Sequence, residues 1–217
     1  MNDTMNPLAL ARQPKQSRAI DRFEAVLEAT EAILAESGLE GFSIPAVAER
    51  LGYTRASIYK FFPTPYAILN ELVRRHFDRL QDALRDEAGR WADESWQAQT
   101  ARMVKLAAKV HNAHPVGMML SLGGATTDEA NRIYASTIQQ LGLLIEAVLQ
   151  RRGHALAASA LDVPTLAVDL ATTCLRQSLQ RHGRITPAYV DVATSTIVDF
   201  LERHIVAVPA MRAVRRS

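Results

Sequence analysis

Cysteine is almost missing from this sequence: Cys174 stands alone among 217 residues, which excludes a disulfide framework within the chain and suits a reducing compartment. There is no run of about 18 uninterrupted apolar residues of the kind a membrane helix needs. The N-terminus, with Asn2, Asp3, Asn6 and Pro7, has no apolar signal-peptide core, so a cytoplasmic protein with no membrane contact is expected. An excess of one charge is also lacking. The formal net charge is +2, and residues 1–85 hold 11 Lys and Arg against 11 Asp and Glu. Net charge is therefore a weak argument for nucleic acid, and the distribution carries more: Arg12, Lys15 and Arg18 form an unopposed basic stretch, while Asp21, Glu24, Glu28, Glu31 and Glu36 follow on one helix. Enzyme signatures are absent as well. The chain has no Gly-rich phosphate loop, no Gly-x-Ser-x-Gly elbow, no His-Glu-x-x-His zinc helix and no cysteine beside a recognisable base, which predicts neither catalysis nor a cofactor. Strand-like alternation is missing too, so an all-α fold is expected.

What is present starts with an ordinary globular composition, 48% hydrophobic and 22% charged, sufficient to bury a core. The most informative stretch runs from Ser43 to Phe62. Ser43 is a good N-cap and Pro45 falls in the first helical turn, where a missing N–H costs little, so a helix starts at Ile44. Val47, Ala48 and Leu51 share one face, and Gly52 follows where a left-handed residue stops the helix and turns the chain. Thr54 caps a second helix in which Ile58 and Phe62 face inward, leaving Arg55, Ser57, Tyr59 and Lys60 on the other sides. Ala48, Gly52 and Ile58 provide the small and branched residues that two helices crossing near a right angle require. The pattern is that of a helix-turn-helix.

The run Tyr53-Thr54-Arg55-Ala56-Ser57-Ile58-Tyr59-Lys60-Phe61-Phe62, within Phe42 to Leu69, resembles the N-terminal domain of the TetR family of bacterial transcriptional regulators. By motif the resemblance covers roughly residues 17 to 85. It departs from the family's habit at Phe61, where His is common, and at Pro63-Thr64-Pro65, where Lys commonly flanks a Ser; both changes remove positive charge. The resemblance implies a C-terminal domain that binds a small molecule, swings the helix after the motif and releases the operator, with repression the commoner outcome.

In order along the chain, residues 1–16 read as a flexible basic arm, 17–64 as a three-helix DNA-binding domain and 65–217 as a helical regulatory and dimerisation domain. The first helix is expected from Ser17 to Ser37, with Ile20, Phe23, Leu27, Thr30 and Leu34 as its buried stripe and Gly38 ending it. The fourth, from Pro65 to about Ala88, carries Ile68, Leu69, Leu72, Phe77, Leu80 and Leu84 and is the expected mechanical link between the halves. Five more helices are expected near 93–112, 116–123, 128–152, 163–183 and 187–207. The last two hold more small and aliphatic surface than one core needs, including Leu166, Leu170, Leu175, Leu179, Val192, Ile197 and Phe200, which points to a two-fold, four-helix interface in a homodimer.

Residue roles follow from chemistry. The Ser43 and Thr54 helix N-termini suit phosphates, the Arg55 fork matches a guanine edge with Ser57 nearby, and Tyr59, Lys60 and Arg18 suit the DNA backbone, with Ala56 completing the DNA-facing set. Phe77, Trp96, Met103, His111, His114, Met118, Tyr134 and Cys174 are the candidates to line an apolar pocket for a small organic ligand. His111 and His114 have the spacing of a metal pair, but nothing nearby completes a ligand set, so no metal is expected. The sequence thus predicts a sequence-specific DNA-binding regulator, a repressor released from a palindromic double-stranded operator by a small ligand. The competing reading is a helical protein whose main work is small-molecule binding or catalysis in its C-terminal domain.

Overall fold

The computed structural model describes residues 7–124 and 127–207. Among these residues lie nine α-helices: α1 Ser17–Gly41, α2 Ile44–Leu51, α3 Arg55–Tyr59, α4 Pro65–Ala88, α5 Trp96–Ala113, α6 Pro115–Leu122, α7 Asp128–Arg151, α8 Val163–His182 and α9 Pro187–Glu202. A single 3₁₀ turn, Gly89–Trp91, follows α4, and two three-residue strands, β1 His154–Leu156 and β2 Ile205–Ala207, pair antiparallel. The helical expectation holds, with that ribbon as its exception. The sequence reading carried the last helix to 207, but α9 stops at Glu202; the backbone of Ile205 to Ala207 then pairs with the strand that follows α7.

The chain forms two compact units. One comprises the described residues up to Asp82 with those from Lys109 to Ser136; the other comprises Ala83–Ala108 and the described residues from Thr137 onward. The division falls within α4, α5 and α7.

In the first unit, α1 buries Phe23, Val26, Leu27, Thr30, Ile33 and Leu34. The stripe begins one turn later than its spacing suggested, because Ile20 is 41% exposed. Gly38, at φ 63° and ψ −165°, breaks the helical backbone as expected, and a further turn reaches Gly41. Helices α2 and α3 pack through Val47, Ala48 and Ile58. Phe62 closes this core by stacking on Phe23 at 4.6 Å between ring centroids, with Phe61 edge-on to the same ring at 6.0 Å.

Residues 8–13, which composition placed in a flexible arm, are held against this unit instead. The Arg12 amide donates to the Phe61 carbonyl at 2.7 Å, Thr64 Oγ1 donates to the Leu8 carbonyl at 2.9 Å, and Asn70 Nδ2 donates to the Ala9 carbonyl at 2.9 Å. Side chains of α4 and the turn before it satisfy the strap's backbone, which the arm's own composition could not reveal. Residues 1–6 of the expected arm lie outside the described residues.

In the second unit, α8 starts on an Asp162 cap and ends at Gly183, at φ 67°, and α9 returns against it. Their seam buries Ala167, Ala171 and Leu175 against Val190, Ala193, Ile197 and Leu201. The tight turn between them is held by Ser178, whose hydroxyl accepts from the Thr186 amide and donates to the Arg184 carbonyl, each at 3.0 Å. Gly142 lets α7 approach α8 closely, since a Cβ there would lie 2.8 Å from the Thr165 nitrogen.

Candidate nucleic-acid interface

The geometry of the helix-turn-helix starts with its caps. The Ser43 hydroxyl accepts from the Ala46 amide at 3.2 Å and starts α2; Gly52, at φ 64° and ψ 27°, ends it, and the Tyr53 amide returns to the Ala48 carbonyl at 2.9 Å. Two residues later the Thr54 hydroxyl accepts from the Ser57 amide at 3.3 Å and starts α3. The Ser57 hydroxyl turns back to the Thr54 carbonyl at 2.7 Å. The α-helical core of this element is five residues, Arg55–Tyr59, shorter than the expected 54–62, although the Lys60 and Phe62 amides continue the pattern onto the Ala56 and Ile58 carbonyls. Ile58 is fully buried and anchors the element, so its opposite side is presented outward.

That outward side carries Thr54, Arg55, Ala56, Tyr59 and Lys60, all exposed, with Ser57 and Ser43 half-buried beside them. Arg18, exposed in the first turn of α1, is another of the sequence candidates. Arg55 and Lys60 have no ion pair among the described residues, whereas the cations behind them are spoken for. Arg50 makes a two-pronged bond to Glu36, Nη1 to Oε2 at 2.8 Å and Nη2 to Oε1 at 2.7 Å, fastening α2 to α1 and holding the Glu36 carboxyl below the usual carboxylate range. Arg75 forks onto Glu24, reaches Glu71 and lies over the Phe23 ring at 5.5 Å. Burial works to raise the Glu71 carboxyl, but bonds from Arg74 and Arg75 outweigh it and keep the group ionised. Arg50 and Arg75 are thus neutralised locally, while Arg55 and Lys60 stand exposed at α3.

The pocket candidates divide between the two units. Phe77, His111, His114, Met118 and Tyr134 belong to the first; Trp96, Met103 and Cys174 belong to the second. In the first, Phe77, His111 and Met118 are buried, Tyr134 is half-buried with its ring 6.3 Å from Phe77, and His114 is exposed. In the second, Trp96 and Met103 are buried, Trp96 lies edge-on to His154 at 6.3 Å, and half-buried Cys174 sits 3.9 Å from Thr196 Oγ1. Sequence reasoning missed His76. It lies on the inner stripe of α4, four residues beyond Leu72 and four before Leu80, and that spacing was the available signal. His76 is fully buried, with Nε2 2.8 Å from His111 Nδ1 and its other ring nitrogen against Gly117, where a Cβ would come within 2.4 Å. Burial, then repulsion from His114 and Arg79, pushes the His76 pKa down to about 4, and burial with the His76 neighbour pushes His111 to about 3. Both rings are therefore neutral at pH 7. Among the described residues no group of three or more His, Cys, Asp and Glu is arranged to hold a metal ion, and no helix is long and apolar enough to cross a membrane.

Comparison with known proteins agrees with this geometry. The profile of bacterial regulatory proteins of the tetR family matches residues 26–72, from the middle of α1 into α4. The HTH-type transcriptional repressor DrrR1 of Streptomyces coeruleorubidus is 27% identical over 158 residues, 69% of this chain and 55% of that protein. The HTH-type transcriptional repressor KstR of Mycolicibacterium smegmatis is 35% identical over 68 residues, 31% of this chain and 33% of that one. The chain thus spans about half the length of the first of these relatives and a third of the second. A TetR-family regulator from Streptomyces coelicolor has the same fold, with a TM-score of 0.61 at 21% identity over 86% of this chain and 98% of the other. The profile match covers the caps, the glycine turn and the outward-facing Arg55 to Lys60 described above, and over residues 26–72 the chain is similar to the bacterial regulatory proteins of the tetR family.

Proposed function

We propose that the protein is a sequence-specific DNA-binding transcription regulator, reading double-stranded DNA with α3. The observation that carries this reading is the outward presentation of Thr54, Arg55, Tyr59 and Lys60 from a helix fixed by a side-chain cap and the buried Ile58. Arg55 offers a planar fork that suits a guanine edge in the major groove. Lys60, Tyr59 and Arg18 offer phosphate contacts, and the N-termini of α2 and α3, at Ser43 and Thr54, add backbone N–H groups.

Two copies joined through α8 and α9 would set two reading heads about one helical turn of DNA apart and so favour a palindromic operator. Support comes from the apolar side chains those helices leave outside their own seam: Val192 is 51% exposed, and Leu166, Leu170 and Phe200 are half-buried. Repression is the reading that DrrR1 and KstR favour, both being repressors by name. Release by a small organic ligand requires that ligand to bind one spacing of the heads more tightly than the other. The buried Phe77, His111 and Met118 and the half-buried Tyr134 are the first unit's candidates for contact with it. The work is that of a regulator in the cytoplasm rather than an enzyme.

Selection of bound sequences from random duplex DNA, run at two salt concentrations with the purified protein, tests this reading. A two-fold symmetric consensus is expected, its half-site spacing giving the separation of the heads. Salt-sensitive retention without any consensus would overturn it, since phosphate attraction alone would then account for binding.

A further inference from the structure

Asn70, in α4, is almost fully buried and uses both ends of its amide on other parts of the chain. Its Nδ2 donates to the Ala9 carbonyl at 2.9 Å, and its Oδ1 accepts from Thr127 Oγ1 at 3.0 Å. These partners fix the orientation of the amide. A backbone carbonyl can only accept, so the nitrogen must face Ala9; the Thr127 hydroxyl already accepts from the Ala130 amide at 3.0 Å as the cap of α7, so its proton is free for Asn70. Thr64 has a matching double role. It accepts from the Ala67 amide at 3.2 Å as the cap of α4 and donates to the Leu8 carbonyl. Two further bonds complete the strap: the Arg12 amide on the Phe61 carbonyl, directly after the reading helix, and Gln13 Nε2 on Glu71 Oε1 at 3.2 Å.

We propose that Asn70 is a positioning residue for DNA recognition: it latches residues 8–13 onto α4 and the first turn of α7, so that the strap holds the end of the reading helix at Phe61 and presents the Arg12 side chain beside it. This rests on the DNA-binding reading above and adds a second support to α3, distinct from its cap and its buried Ile58. An arm tied at Leu8, Ala9, Arg12 and Gln13 is ordered before DNA arrives, which lowers the entropy lost on binding. Because one buried amide joins the strap to the start of α7, a movement there reaches the reading helix without passing along the whole of α4.

The variant Asn70→Asp keeps the shape and the acceptor toward Thr127 but removes the donor toward Ala9. Thr64→Ala cuts the strap at Leu8 from a half-buried position, and so serves if Asn70→Asp does not fold. Amide hydrogen exchange on the DNA-free protein reads the latch, and operator affinity against salt concentration reads its consequence. The expected result is loss of protection over residues 8–13 in either variant, with operator binding about five- to tenfold weaker, the equivalent of one buried hydrogen bond. The salt dependence should flatten as it does in Arg12→Ala, and Arg12→Ala should add little on top of either variant. Unchanged protection would overturn the latch. Lost protection with unchanged operator affinity and salt slope would overturn its role in recognition and leave the strap a packing element. Failure of the DNA-binding reading itself looks different: the unaltered protein then selects no sequence, and the proposal falls with it.

Discussion

From Ser43 to Phe62 the backbone is set by particular side chains at particular positions: two hydroxyl caps, a left-handed glycine, the fully buried Val47 and Ile58, and Phe62 stacked on Phe23. Helices α8 and α9 are held differently, by a long apolar seam of Ala167, Ala171, Leu175, Ala193, Ile197 and Leu201 in which any residue of similar size would serve. The contrast reflects what each region has to do. On the reading proposed above, α3 has to be aimed to within a fraction of an ångström, so its start, stop and anchor are each specified, whereas the α8–α9 seam needs only apolar surface of the right volume.

Breaking the head at its anchor should have the largest effect. Phe62 is fully buried and stacked on Phe23, so Phe62→Ala should destabilise the protein by about 3–5 kcal/mol and abolish operator binding. Leu201→Ala, equally buried in the α8–α9 seam, should remove about 2–5 kcal/mol. Measured by denaturant unfolding beside DNA binding, the second variant should still bind operator at temperatures where it is folded. Equal loss of binding at equal residual stability would erase the distinction drawn between the two regions.

The buried histidines make the next prediction, one the apolar seam of α8 and α9 does not share. His76 and His111 are held neutral, at about 4 and about 3, against about 6.5 for a free histidine. The unfolded chain binds more protons than the folded one once the pH drops below about 6.5, so stability is complete above that value and falls as the pH moves toward 4. Between pH 7.5 and 5 the loss should be on the order of 2–4 kcal/mol, at one pKa unit per 1.4 kcal/mol. The ionised Glu24, Glu36 and Glu71 carboxyls give way only below their ordinary value of 4.5, which keeps this window for the histidines. Unfolding curves at pH 7.5, 6 and 5 check it, and a flat stability across that range would contradict the neutral pair.

The smallest effect belongs to the caps. Ser43→Ala and Thr54→Ala should each cost about 1 kcal/mol of stability. Thr54→Ala should weaken operator binding more than Ser43→Ala, because the Thr54 cap alone starts the helix that carries Arg55. Unfolding and binding measured on the same two proteins separate the contributions.

How much of this was legible beforehand follows the same contrast. Ser43, Gly52, Thr54 and Ile58 announce a helix-turn-helix because each acts within four or five residues of itself, at distances that sequence spacing encodes. Residues 8–13 carry no such signal: their order comes from Thr64 and Asn70, more than fifty residues away, so composition alone reads them as an arm. The β1–β2 ribbon escaped for the same reason, since three residues after α7 and three after α9 make a strand only by meeting. Among the pocket candidates, periodicity found buried apolar positions but could not sort them into units, and attention to His111 and His114 passed over His76, the partner that His111 bonds.

The claim that α3 reads bases while its neighbours hold phosphates is tested most directly by Arg55→Ala and Lys60→Ala, titrated against the selected operator and against random DNA over a range of salt. Arg55→Ala should lose about 1–3 kcal/mol on the operator and little on random DNA, relaxing the preference at one base pair of each half-site. Lys60→Ala should weaken both DNAs alike and lower the salt slope by about one. Equal losses on operator and random DNA for Arg55→Ala would contradict the account.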